Sequence, residues 1–400
     1  MTRKPDAATI AVRAAIESDT QHGAVVPPLY LSSNFAFAGY GEKRDYDYTR
    51  SGNPTRDALA DALTELEGGA GTVVTSSGMA ALTLLCHLLE PGDVLIAPHD
   101  CYGGTYRLFE SLAAKGHFEV LFVDQTDTAA VARACKRLPR LILTETPSNP
   151  LLRIVDIAQM KVFASDCGAL LAVDNTFLSP ALQNPIAHGA DIVIHSTTKY
   201  INGHSDVVGG AVVAANDELA EKIAWWANCL GLTGAPFDSF LTLRGLRTLH
   251  PRIRQHEENA HLIANVLTDQ SQVERVYYPG LPHHPGHDIA ARQQRGFGGM
   301  LSFEIRGGDI AVRTFLQQLQ YFSLAESLGG VESLVCHPAS MTHAPMQDSA
   351  LKEAGIGPNL IRLSVGLESA DDLIEDLLAA LEATDAVSDQ LLHRPIALQK

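Results

Sequence analysis

Residues 191–210 read DIVIHSTTKYINGHSDVVGG. The stretch opens on β-branched Ile192, Val193 and Ile194, then turns polar through His195, Ser196, Thr197, Thr198, Lys199 and Tyr200. A lysine flanked by hydroxyls, with no acid beside it, suits an amine that sheds its proton and attacks a carbonyl carbon. Other polar residues gather just past apolar runs. Ser76, Ser77, Gly78 and Met79 follow GTVVT, Ser148 and Asn149 follow RLILTE, and Asp174, Asn175 and Thr176 close ALLAV. Gly78 and Met79 open a helix whose N-terminal N–H groups and dipole suit a phosphate, with Ser196 and Thr198 as hydroxyl donors. Lys199 would form a Schiff base, and Asp174 would pair with a protonated ring nitrogen. A phosphate site, a lysine and a buried aspartate together describe pyridoxal 5'-phosphate (PLP) binding. Each sign alone has a plainer reading: a helix cap, a turn, a solvated charge. Their conjunction on successive strand ends is what carries the reading. No GxxxxGK[ST] occurs, so a P-loop is excluded.

These residues converge only if the elements beneath them form an open sheet. From Arg56, helical ALADALTELEGG alternates with GTVVTSS, MAALTLLCHLLEPG, VLIAP, YRLFESLAAKG, FEVLFVD, a helix near 127–137, RLILTETP, a helix over 157–167, ALLAVDN and DIVIHS. Short strands between amphipathic helices predict an α/β domain with a mostly parallel sheet. Ligands of such sheets sit beyond the strands' carboxyl ends, where the polar residues lie. Residues 1–55 read as an irregular arm, 56–249 as the cofactor-binding α/β domain, and 250–400 as a smaller α+β domain containing strands GGMLSFEIRGG and IRLSVGLES. The tail after Thr384 is not assigned.

The chain has 400 residues, 46% of them hydrophobic, ample for large cores, and a formal charge of −16. That balance argues against nonspecific nucleic-acid or anionic-membrane binding. No apolar run reaches the roughly 18 residues of a membrane span, and the N-terminus lacks a signal peptide's apolar core. Six scattered cysteines without a CxxC pair read as reduced thiols, hence a cytoplasmic location.

The quoted stretch, extended back to AVDNTF, resembles the signature of the Cys/Met-metabolism PLP-dependent enzymes, the transsulfuration group that includes cystathionine γ-synthase and γ-lyase. YTRSGNPTR, SSGMAA, CYGGTYRLF, ETPSNP, AESLGGVESL and IRLSVGLE follow in the family's order over about residues 8–382. The resemblance implies an aspartate-aminotransferase-like fold and a homotetramer, a dimer of dimers with shared active sites. It implies that Lys199 holds PLP, Asp174 pairs with the pyridine nitrogen, and Gly78, Met79, Ser196 and Thr198 bind the phosphate. Tyr102 would stack on the ring and take part in proton transfer, with Asn149 and Thr176 against the ring. Tyr48 and Arg50 would reach a neighbouring subunit's phosphate. Ser327 would hold Lys199, and Arg362 would grip the substrate α-carboxylate with its planar fork. Glu326 and Arg107 complete the expected substrate contacts.

The resemblance also implies a small-molecule amino-acid substrate, and two reactions compete. PHDCYGGTYRLF and WWAN resemble bacterial γ-synthases, which join an O-acylhomoserine to cysteine. Yet Ser51 stands where succinyl-using synthases carry a second arginine, as in γ-lyases. Gly104 stands where methionine γ-lyases carry Cys, and Glu326 where bacterial β-lyases carry Tyr. The first expectation is therefore γ-elimination of L-cystathionine to cysteine, 2-oxobutanoate and ammonia. The alternative is γ-replacement on O-succinyl- or O-acetylhomoserine, and a non-catalytic PLP-binding homologue ranks last.

Three conspicuous features receive structural readings. HHPGH at His283–His287 lacks further ligands at metal spacing and reads as a Pro/Gly loop, with no metal expected. Trp225 and Trp226 read as packing. Cys101, with no base evident beside it, reads as inert.

Overall fold

The computed structural model describes residues 5–344 and 346–392. Seven strands build the larger sheet: β1 (Gly71–Thr75), β2 (Val94–Pro98), β3 (Glu119–Val123), β4 (Leu141–Glu145), β5 (Leu170–Asp174), β6 (Ile192–His195) and β7 (Gly210–Ala214), ordered β1-β7-β6-β5-β4-β2-β3. The pairings from β6 through β3 are parallel, and β7 runs antiparallel to both of its neighbours. The expected mostly parallel sheet is therefore present. The antiparallel β7, whose short GAVVA run follows glycines, had no sequence counterpart.

Helices α2 (Pro54–Glu67), α3 (Gly78–Cys86), α4 (Gly103–Ala114), α5 (Thr128–Cys135) and α6 (Ile157–Cys167) follow an α1 (Ala7–Arg13). Their ends are chemically marked. Asn53 accepts from the N–H groups of Thr55 and Arg56 ahead of Pro54, and Gly68 closes α2 in the left-handed region at φ 75°. Asp156 caps α6 and Gly168 ends it at φ 73°. One face of the sheet packs Leu84, Leu85 and Phe109 against Ile192 and Ile194. The other packs Val131, Ile157 and Met160 against Ile142, Leu171 and Val173. Each such fully buried side chain contributes about 1.5–3 kcal/mol, which fixes the strand ends that carry the polar residues.

The second sheet has β8 (Val273–Tyr277), β9 (Met300–Ile305), β10 (Ser323–Leu324), β11 (Leu334–Cys336) and β12 (Leu360–Ser364), ordered β10-β11-β12-β9-β8. Its core gathers Phe303, Phe315, Leu363 and Leu377, the last on the helix Ala370–Leu392. The helix Leu249–Thr268 serves two cores: Leu249 and Ile253 pack with α2, and Ile263 and Leu267 with the second sheet. The N-terminal segment departs from the expected irregular arm. Asp6 caps α1, and Ile10 and Ala11 bury against Leu59, Leu63 and Leu66. The spacing of Ile10 and Ala11 offered too short a pattern to announce a helix. Among the described residues, no helix is long and apolar enough to cross a membrane.

Candidate active site

A cavity of about 360 Å³ opens at the carboxyl ends of β1, β4, β5 and β6 and is closed by residues from the second sheet. Gly78, Met79, Tyr102, Asn149, Asp174, Thr176, Ser196, Thr198, Lys199, Glu326, Ser327 and Arg362 all line it.

The reactive groups sit on rigid ends. Ser77 caps α3 by accepting from Ala80 N–H at 3.0 Å, so the N–H groups of Gly78 and Met79 remain without intrahelical acceptors. A Cβ at Gly78 would lie 2.8 Å from Ser196 Cβ; glycine is what lets α3 approach the Ser196 turn. Thr176 N–H donates to Asp174 Oδ1 at 3.0 Å, and Ser196 N–H donates to Thr176 Oγ1 at 2.8 Å. Thr198 Oγ1 bridges to Gly209, donating to its carbonyl at 3.1 Å and accepting from its N–H at 3.0 Å.

Lys199 Nζ donates to Ser327 Oγ at 2.9 Å. Burial, aided by the Arg362 charge and opposed by Glu326, pushes its pKa down to about 8. Ser327 adopts φ 111°, a left-handed conformation costly for a residue with a Cβ. Its carbonyl accepts from Arg362 Nη2 at 3.0 Å while Arg362 Nη1 donates to Asn149 Oδ1 at 2.7 Å. Burial raises the Asp174 pKa, opposed by hydrogen bonds from Thr176 and by His195. Among the described residues, no Lys or Arg forms an ion pair with Asp174.

Tyr102 stands at the start of α4 with its ring partly exposed. A Cβ at Gly104 would lie 2.5 Å from Tyr102 Cε1 and 3.1 Å from Met79 Sδ. Any larger residue at 104 therefore displaces the Tyr102 ring.

The profile of the Cys/Met metabolism PLP-dependent enzymes matches residues 8–382. The chain belongs to this family. The enzyme is 57% identical over 378 residues to cystathionine γ-synthase of Escherichia coli (strain K12), covering 94% of this chain and 97% of that protein. It is 46% identical over 375 residues to cystathionine γ-lyase of Dictyostelium discoideum, covering 94% and 97%. The crystal structure of cystathionine γ-synthase from Xanthomonas oryzae pv. oryzae in complex with cystathionine superposes with a TM-score of 0.95 at 61% identity, covering 96% of this chain and 100% of that one. The enzyme is thus a PLP-dependent transsulfuration enzyme.

Three expected site residues lie outside the cavity of their own chain. Arg107 is exposed on α4. Arg50 Nε donates to Asn228 Oδ1 at 3.0 Å, with its guanidinium 5.5 Å from the centroid of the half-exposed Tyr48 ring. Ser51 Oγ donates to Tyr48 O at 2.8 Å and bonds Asp47 Oδ1 at 3.1 Å. The notable omission from the sequence reading is Glu145, which lines the cavity beside Asp174. An acid ending a buried strand before Thr146 and Pro147 was the available signal.

The remaining features have structural roles. His284 is buried, with its pKa pushed down to about 4, and accepts from Gly286 N–H; His287 stacks on Phe297. Trp226 packs on His87, and Trp225 meets it edge-on. Burial, with Glu145 and Asp100 adding like charge, raises the Cys101 thiol well above its ordinary pKa, which makes it a poor nucleophile.

Proposed function

We propose that this enzyme makes cystathionine by γ-replacement: the Cγ–O bond of an O-acylhomoserine breaks, the acyloxy group leaves as a carboxylate, and the thiol of cysteine forms the new Cγ–S bond. One observation carries the PLP-dependent chemistry that replacement and elimination share: Lys199, Asp174, Arg362 and Glu326 line a single cavity. Greater similarity to the two γ-synthases than to the γ-lyase supports replacement over elimination. Ser51 supports a second reading, γ-elimination of cystathionine, because it offers no charge for a succinyl carboxylate. The cavity's lining cations are Lys199 and Arg362, and Lys43 is paired with Asp47 at 3.1 Å.

The residues fit PLP. Asp174 presents a half-buried carboxylate to the cavity, the start of α3 offers N–H groups without intrahelical acceptors, and Lys199 is an amine of lowered pKa. When bound, PLP supplies an electron sink for charge developing on substrate carbon. Gly78, Met79, Ser196 and Thr198 would hold its phosphate, Asp174 its ring nitrogen, and Tyr102, Asn149 and Thr176 its ring. Arg362, preset by Asn149 and Ser327, would bind the substrate α-carboxylate bidentately. Lys199 would take a proton from the substrate Cα and, tethered by Ser327, carry protons between Cα, Cβ and the departing group. Tyr102 stands by as a second acid or base. Glu326 suits the ammonium of the incoming cysteine.

We also propose that Tyr48 and Arg50 complete a neighbouring copy's phosphate site in a homotetramer. Their position outside the cavity of their own chain supports this, as does the half-exposed Tyr48 ring. Residues 1–55, 56–249 and 250–400 would then act as arm, cofactor-binding domain and C-terminal domain. Product analysis with cystathionine alone, then with each acyl ester plus cysteine, tests the assignment. Cystathionine formation supports replacement, and 2-oxobutanoate from cystathionine alone supports elimination.

A further inference from the structure

Glu145 is a cavity carboxylate to which the mechanism above gives no task. It ends β4 in register with Asp174 at the end of β5, and it is buried. Burial, then the charges of Asp174 and Asp100, raise its pKa well above the carboxylate range, while hydrogen bonds from two backbone N–H groups oppose the rise. Among the described residues, no Lys or Arg forms an ion pair with it. An acid kept beside like charges in a dry wall costs stability unless its shape is used. What a carboxylate offers here is two acceptor oxygens in one rigid plane.

Those oxygens are divided between two loops. Glu145 Oε2 accepts from the Tyr102 N–H at 3.2 Å, and Oε1 accepts from the Asn149 N–H at 2.9 Å. Tyr102 begins α4 without a side-chain cap, so its loop lacks the usual local anchor. Asn149 in turn holds Arg362 at 2.7 Å, and its carbonyl meets His343 Nε2 at 3.1 Å. One side chain therefore sets the distance between the aromatic wall and the anion-binding guanidinium.

We propose that Glu145 is a positioning residue that couples Tyr102 to the Asn149–Arg362 pair through two backbone N–H groups. The inference rests on the functional reading above for the meaning of that pairing, not for its geometry. Glutamine at this position keeps one acceptor and turns a donor toward the other N–H, so Glu145→Gln breaks one bond and strains its partner.

The test is hydrogen exchange of the PLP-loaded enzyme, read by mass spectrometry over residues 101–106 and 148–152. In Glu145→Gln both segments should exchange about tenfold faster, as expected for loss of a buried backbone hydrogen bond. The Lys199 segment should be unchanged, KM for the amino-acid substrate should rise more than kcat falls, and the visible circular dichroism of the cofactor should weaken. Faster exchange in one segment only, or in neither, contradicts the coupling. If Glu145→Gln does not fold, the wild type decides: the Tyr102 and Asn149 amides should open together, with protection matched to within about threefold. Independent opening overturns the proposal. Failure of the wild type to bind PLP at all would instead strike the functional reading.

Discussion

Lys199 Nζ donates to Ser327 Oγ at 2.9 Å, linking an amine beyond the end of β6 to a hydroxyl in the segment between β10 and β11. The reactive group of one sheet is thus held by the other, and Arg362 on β12 grips the same Ser327 through its carbonyl. Any motion between the sheets would reach the lysine directly.

The lowered Lys199 pKa gives a signed pH dependence. Only the neutral amine attacks the cofactor aldehyde, so attachment to cofactor-free enzyme should accelerate about tenfold per pH unit below the midpoint near 8, then level off. Arg362 is one cause of the lowering, so Arg362→Gln should move that midpoint upward. Stopped-flow absorbance across the range checks both. Lys199→Ala should lose attachment altogether, and borohydride trapping with peptide mapping should find the cofactor on Lys199 in the wild type.

Asp174 should matter to chemistry more than to occupancy. A neutral amide in Asp174→Asn cannot favour the charged ring nitrogen, so turnover should fall far more than PLP content. Parallel measurement of kcat and bound cofactor decides; near-normal turnover at full occupancy refutes the role.

Arg362 presents a fork fixed on one arm by Asn149 Oδ1 at 2.7 Å and on the other by Ser327 O at 3.0 Å. Arg362→Lys keeps the charge and loses the bidentate grip. The expected cost is about 1.5–3 kcal/mol, roughly ten- to a hundredfold in kcat/KM. Steady-state kinetics on the amino-acid substrate reads it, and Asn149→Ala should lower kcat/KM in the same direction.

Sharing of sites between copies has its own test. Arg50→Ala and Lys199→Ala are each expected to be inactive, and mixing them after verified subunit exchange should restore partial activity. Full exchange without any activity would mean that Arg50 serves its own chain.

Much of this was legible because strand ends are punctuated by chemistry. β5 and β6 lie next to each other in the sheet, and the apolar runs ALLAV and DIVI mark where they stop. That carried Asp174, Thr176, Ser196, Thr198 and Lys199 into one crevice before any coordinates. Arg362 and Ser327 came from family resemblance, because a hydrogen bond across 128 residues of chain, from Lys199 to Ser327, leaves no local period. Glu145 escaped because its position, an acid ending a buried strand, was the only sign of it, and its task of accepting two backbone N–H groups leaves no side-chain pattern. Helix α1 escaped because its apolar face is two residues wide, Ile10 and Ala11, and gains its stability from α2.

The choice of acyl ester turns on Ser51. Ser51→Arg should raise kcat/KM for O-succinylhomoserine by about ten- to a hundredfold and leave O-acetylhomoserine little changed. The most direct measurement, however, is the product formed by the wild type from each ester with cysteine, followed by mass spectrometry. Cystathionine should form in step with released acid, with no strong preference for the succinyl ester. No cystathionine from either ester, with rapid release of 2-oxobutanoate from cystathionine itself, would contradict it.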